Sequence, residues 1–107
     1  MALDQNALSV CKNDVELPNI IEKLEFLDYK ISNIYEWRKN SELDVFMSSI
    51  YYDEYKGVNA FEQQSIKITS DHLAKLKNEK WFNDYDFIVL ATNLIEKGCK
   101  IYYNCNY

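Results

Sequence analysis

Apolar positions at helical spacing are densest between Asn33 and Tyr55, where Ile34, Trp37, Leu43, Phe46, Met47 and Ile50 recur in a segment without Gly or Pro. That pattern wraps more than one narrow stripe, so it predicts a central helix buried on a broad face. Ser32 or Asn33 is its expected N-cap, with Asn33 and Glu36 spaced as a capping box, and Lys56-Gly57 supplies a left-handed ending.

The flanking patterns are shorter. Residues 3 to 11, L-D-Q-N-A-L-S-V-C, alternate loosely and predict a first strand. After a polar turn at 12 to 16, Pro18 suits a helix start, and Ile20, Leu24, Leu27, Ile31 and Ile34 step by helical intervals, so a short helix is expected from near Asn19. From Leu27 onward the same residues also alternate as in a strand, which leaves 25 to 31 open between the two. Beyond a loop at 57 to 63, Ser65 to Thr69 predicts a strand that runs into a helix capped by Thr69 or Ser70, with Leu73 and Leu76 on its inner face. A polar break from Asn78 to Asp84 precedes a helix capped by Asp84 and running through Lys97, with Gly98 at its end; a buried strand at Phe87 to Ala91 is the alternative. Cys99 to Cys105 predicts a final strand with Cys99, Ile101, Tyr103 and Cys105 on one face. The sum is an α+β fold over one domain, residues 1 to 107. Three helices pack on a small antiparallel sheet of two to four strands, with the terminal strands as partners.

Composition agrees with a packed domain, since 48% of the 107 residues are hydrophobic and 27% charged. Nine tyrosines, five phenylalanines and two tryptophans exceed what so small a core easily hides, which leaves some rings for an interface and keeps a homodimer open beside a monomer. A net charge of −5 argues against general binding to nucleic acid or an anionic membrane and suits docking on a basic surface. Cys11, Cys99 and Cys105 are odd in number and lack C-x-x-C spacing, so they read as buried thiols of a cytoplasmic protein. No apolar stretch is long enough to cross a membrane, and the first residues lack the form of a signal peptide.

Little in the sequence suggests catalysis. His72, the sole histidine, stands at a predicted helix start, where an exposed or capping role is the default. Asp53 and Glu54, or Asp84 and Asp86, have no spacing that separates a metal or acid–base pair from a solvated face. Only Gly57 and Gly98 are available for a phosphate loop, and both are assigned to helix ends. No cofactor, metal or catalytic residue is therefore expected. The Trp37-Arg38-Lys39 run carries the most information. On a helix, Arg38 would pair with Glu42 and Lys39 with Glu36; otherwise the cations and the exposed rings would form a contact surface. The candidate partner-binding residues are Arg38, Lys39, Tyr51, Tyr52, Asp53, Glu54 and Tyr55.

At this run the chain resembles a family of small uncharacterised phage-encoded proteins. Its hallmarks are an M-G-L-D opening, a Y-W-R-K-A-N-x-I-H-x-W-F helix, a V-S-x-E-Q-L turn and an I-Y-Y-Q-S-S-W end. The matching stretches are Met1-Ala2-Leu3-Asp4, Glu36 to Leu43 with Phe46, Ile68 to Leu73, and Ile101-Tyr102-Tyr103-Asn104, in the same order over nearly the whole chain. Ala2, Ser41 and Asp44 depart from the family, which puts any site formed by its Asn and His in doubt here. The resemblance implies a phage origin, a β, α, β, α, α, β order and a strand just before Ser32; it supplies no activity.

Two functions are expected from these features. One is a non-catalytic phage accessory protein that binds and inhibits a host factor, such as a CRISPR component or another part of antiviral defence, in the host cytoplasm. The alternative is a small-molecule or nucleotide binder, a sponge for a signalling nucleotide, with Arg38, Lys39 and the tyrosines as cationic and stacking groups.

Overall fold

The computed structural model describes residues 3–11, 17–22 and 31–106. The strands are β1 (Asp4–Val10), β2 (Ile20–Ile21), β3 (Ile31–Arg38), β4 (Ser65–Ile68) and β5 (Lys100–Asn106), and the helices are α1 (Ser41–Ser49), α2 (Ser70–Lys77) and α3 (Tyr85–Glu96). All neighbouring strands are antiparallel in the order β2-β4-β5-β1-β3. The expected α+β class holds, with five strands where two to four were expected.

β3 accounts for most of that difference. Residues 33 to 38 form a strand where a helix was predicted, because Tyr35 and Trp37 alternate inward with Glu36 and Arg38 outward and β1 provides a pairing partner. The register slips between Ala7 and Leu8, which face Tyr35 and Asn33, so Ile34 is the bulged residue. Asn33 is therefore not an N-cap; its amide donates to Glu36 Oε1 within the strand at 2.8 Å. Lys39 turns the chain with φ 57° and donates its N–H to the Leu3 carbonyl at 2.7 Å. Asn40 then caps α1, its side-chain oxygen accepting the Leu43 N–H.

The helix predicted from Asn19 is also replaced. Ile20 and Ile21 pair with Ile66 and Ser65 as a two-residue strand; of the stretch 25 to 31 left open between helix and strand, residues 25 to 30 lie outside the described residues. Ile31, at its end, opens β3, which runs on through Ser32 to Arg38.

The remaining elements follow the pattern closely. Thr69 caps α2, and Asp84 occupies the N-cap of α3, which rules out a strand at Phe87 to Ala91. Gly98 takes φ 92° just past α3, as a helix-ending glycine does. The terminal strands β1 and β5 pair along seven positions.

All three helices contribute to one principal core. Leu43, Met47, Leu73, Leu76, Phe87 and Ala91 meet Ala7, Trp37, Ile66, Ile101 and Tyr103 of the sheet. The opposite face has a smaller cluster around Val10 and Tyr102, whose hydroxyl donates to the Pro18 carbonyl at 2.6 Å. Among the described residues no helix is long and apolar enough to cross a membrane.

Two cysteines depart from the expected buried thiols. Cys11 and Cys99 form a disulfide, with Cα atoms 4.1 Å apart and Cys11 exposed, while Cys105 is buried outside it. At a sequence separation of 88, only the pairing of β1 with β5 brings them opposite each other.

Candidate functional site

α1 does not stop at Ser49. Its last turn widens into a π-turn, Ile50–Glu54, closed by the Tyr55 N–H donating to the Ile50 carbonyl at 2.8 Å. The chain then reverses at Lys56, which adopts φ 57°, and the Gly57 N–H donates to the Tyr51 carbonyl. Gly57 is thus not the left-handed residue; it is required because a Cβ there would overlap the Tyr51 ring. The wide turn points Tyr51 inward and leaves Tyr52, Asp53 and Glu54 exposed.

Beside this turn lies a groove of about 320 Å³, lined by Phe46, Ser49, Ile50, Asp53, Glu54, His72 and Lys75. Phe46 and Ile50 make it apolar, and Asp53 and Glu54 carry negative charge opposite the Lys75 ammonium. Val45 and Tyr52 are exposed but do not line it; the Tyr52 ring rests against Tyr51 and Phe61.

His72 is the buried polar group of the groove, 1% exposed. Its Nδ1 accepts the Thr69 N–H at 3.0 Å, closing the capping box of α2. That acceptor role places the ring proton on Nε2, which donates to both carboxylate oxygens of Glu54 at 3.0 Å. Both ring nitrogens are therefore committed, so the neutral imidazole offers no lone pair to a substrate. The capping role read from the sequence is realised, and the exposed one is not. Tyr55 packs its ring edge against His72, donates its hydroxyl to the Lys67 carbonyl at 2.7 Å, and is pushed up to a pKa of about 12 by burial and then by Glu54.

The seven candidate contact residues are not one patch. Arg38 and Lys39 are exposed before α1, about 20 Å along the helix from Tyr52, Asp53 and Glu54. Arg38 pairs with Asp4 at 3.7 Å across the sheet, since neither it nor Lys39 is on a helix with Glu42 or Glu36. Tyr51 is 1% exposed and exchanges hydrogen bonds with the Asn59 backbone, and Tyr55 is half-buried, so these two serve the fold. Phe46, Ile50 and Lys75 complete the groove; Phe46 and Ile50 stand out in the sequence only as apolar positions of the predicted central helix, and Lys75 carries no signal there.

The other carboxylate pair is also structural. Asp84 accepts the Trp37 indole N–H at 2.9 Å, and Tyr35 donates toward Asp84 and Asp86 at 3.4 Å. Burial first, then these carboxylates, pushes Tyr35 up to a pKa of about 12. At the start of α1, Gln5 brackets Asn40 by donating to its carbonyl and accepting its N–H, and also donates to the Tyr103 hydroxyl, which donates to Asp44 at 2.9 Å. Among the described residues no three His, Cys, Asp or Glu side chains are grouped to hold a metal.

No family model, curated protein or solved structure matches this chain.

Proposed function

We propose that the protein is a non-catalytic accessory protein that binds and inhibits a host factor, docking through the face formed by Tyr52, Asp53, Glu54 and the adjoining groove. The observation that carries this reading is the groove itself, apolar at Phe46 and Ile50 and bordered by the exposed carboxylates Asp53 and Glu54, which follow directly on Tyr52, 46% exposed. A partner segment that complements it presents an apolar side chain flanked by Lys or Arg, in keeping with the net charge of −5. The commitment of both His72 nitrogens within the fold supports a binding role over acid–base catalysis.

The phage-like motifs make a component of antiviral defence, a CRISPR complex included, the expected class of partner, met in the host cytoplasm. Nucleotide binding is less well supported, because Arg38 and Lys39 are separated from Tyr52 by the length of α1. The test is to express the chain in cells protected by a defined CRISPR system and count phage plaques. Restored plaquing supports the reading. Unchanged plaquing across the defence systems tried, together with no partner recovered from lysate, contradicts it.

A further inference from the structure

We propose that the Cys11–Cys99 disulfide is a thiol-exchange site, at which a small thiol of the glutathione class forms a reversible mixed disulfide with Cys11. The two residues continue the β1–β5 register one step beyond Val10 and Lys100, so they are directly opposed. Their Cα separation of 4.1 Å is even shorter than the close spacing of facing residues in antiparallel strands, about 4.5 Å. The bridge therefore joins strands that seven register pairs already hold together. Opening it leaves the two thiols facing each other.

The two sulfurs differ in access. Cys11 is exposed, whereas Cys99 is 7% exposed and lines a groove of about 370 Å³ with Lys67, Thr69, Ser70, Asp71 and Lys100. An incoming thiolate thus reaches Cys11 Sγ from the solvent side. A new sulfur–sulfur bond forms to Cys11, the Cys11–Cys99 bond breaks, and its electron pair leaves with Cys99 Sγ. The departing thiolate takes a proton from water. Because Cys99 stays opposite Cys11, it reverses the step by attacking Cys11 Sγ and expelling the small thiol. Cys105, buried at 2% exposure, is not reached.

The test uses glutathione as the probe on the full chain, with an acid quench, alkylation and peptide mass spectrometry. Wild-type protein pulsed with reduced glutathione is expected to carry the adduct on Cys11, with Cys99 alkylated and Cys105 unlabelled. With oxidised glutathione, Cys99→Ser should accumulate one adduct on Cys11 at least roughly tenfold faster than Cys11→Ser acquires one on Cys99, because only one sulfur is accessible. The wild-type experiment stands even where a variant fails to fold. Equal rates in the two folded variants, an adduct mainly on Cys99, or labelling of Cys105 in step with the others would overturn the proposal, the last because it means reaction through unfolding.

Discussion

The Nε2 proton of His72 is shared between both carboxylate oxygens of Glu54 at 3.0 Å, which ties the N-cap of α2 to the π-turn that ends α1. This link holds the proposed docking face in place. His72→Ala removes a buried ring and half of the capping box and is expected to cost about 2–3 kcal/mol of stability. Glu54→Ala leaves only one buried donor to recover a partner and is expected to cost about 1 kcal/mol, since water reaches the half-exposed carboxylate site. Urea denaturation of both variants checks the order; an equal or reversed cost contradicts the assigned roles.

The reversal after the π-turn divides two tasks between neighbours. Lys56 adopts the left-handed conformation and Gly57 makes room for the Tyr51 ring. Lys56→Gly is expected to stabilise the fold by about 0.5 kcal/mol, as relief of the left-handed strain outweighs the entropy of glycine. Gly57→Ala is expected to destabilise it by about 1–3 kcal/mol through overpacking against the ring. Thermal unfolding should show opposite shifts for the two substitutions.

Tyr35 and Tyr55 keep their protons up to a pKa of about 12 in the folded chain, mainly through burial. An unfolded tyrosine titrates near 10, so the contribution of these groups is fully present below about pH 10 and is lost as pH rises toward 12. A spectroscopic titration of tyrosinate should resolve a late class that merges with the rest on unfolding. Asp84→Asn should bring Tyr35 earlier by removing a nearby negative charge. All nine tyrosines titrating together near pH 10 in the native protein would contradict the packing described.

The disulfide closes a sequence separation of 88 residues, and restricting the unfolded chain that far is worth about 2–4 kcal/mol. Reduced protein should unfold at a correspondingly lower urea concentration than oxidised protein while keeping its far-ultraviolet circular dichroism, because β1 and β5 remain paired without the bridge.

Local signals in the chain account for much of this fold. Thr69 beside Ser70, Asp84 before an apolar run and Gly98 after it each mark a helix end in the primary structure, and α2 and α3 follow them. The terminal strands were legible from alternation, with Leu8 and Val10 on one side of the first and Ile101, Tyr103 and Cys105 on one face of the last. β3 was not, because Ile34 and Trp37 satisfy a helical interval as well as Tyr35 and Trp37 satisfy an alternating one, and long-range pairing with β1 decides between them. The same non-local pairing creates the disulfide, which no spacing along the chain announces. In the candidate site, Asp53 and Glu54 were legible as an acidic pair, whereas the contact between Glu54 and His72 depends on how α2 packs beside the π-turn.

The docking face is tested most directly by quantitative capture of host proteins on the immobilised wild-type chain and on a Tyr52→Ala, Asp53→Lys variant, with Arg38→Ala as comparison. Loss of an exposed aromatic anchor and inversion of a neighbouring charge should reduce capture of the specific partner by about thirtyfold, equivalent to about 2 kcal/mol. Arg38→Ala, at the far end of α1, should leave it unchanged. Equal capture by wild type and the double variant, with the variant folded, would contradict the assignment of this face.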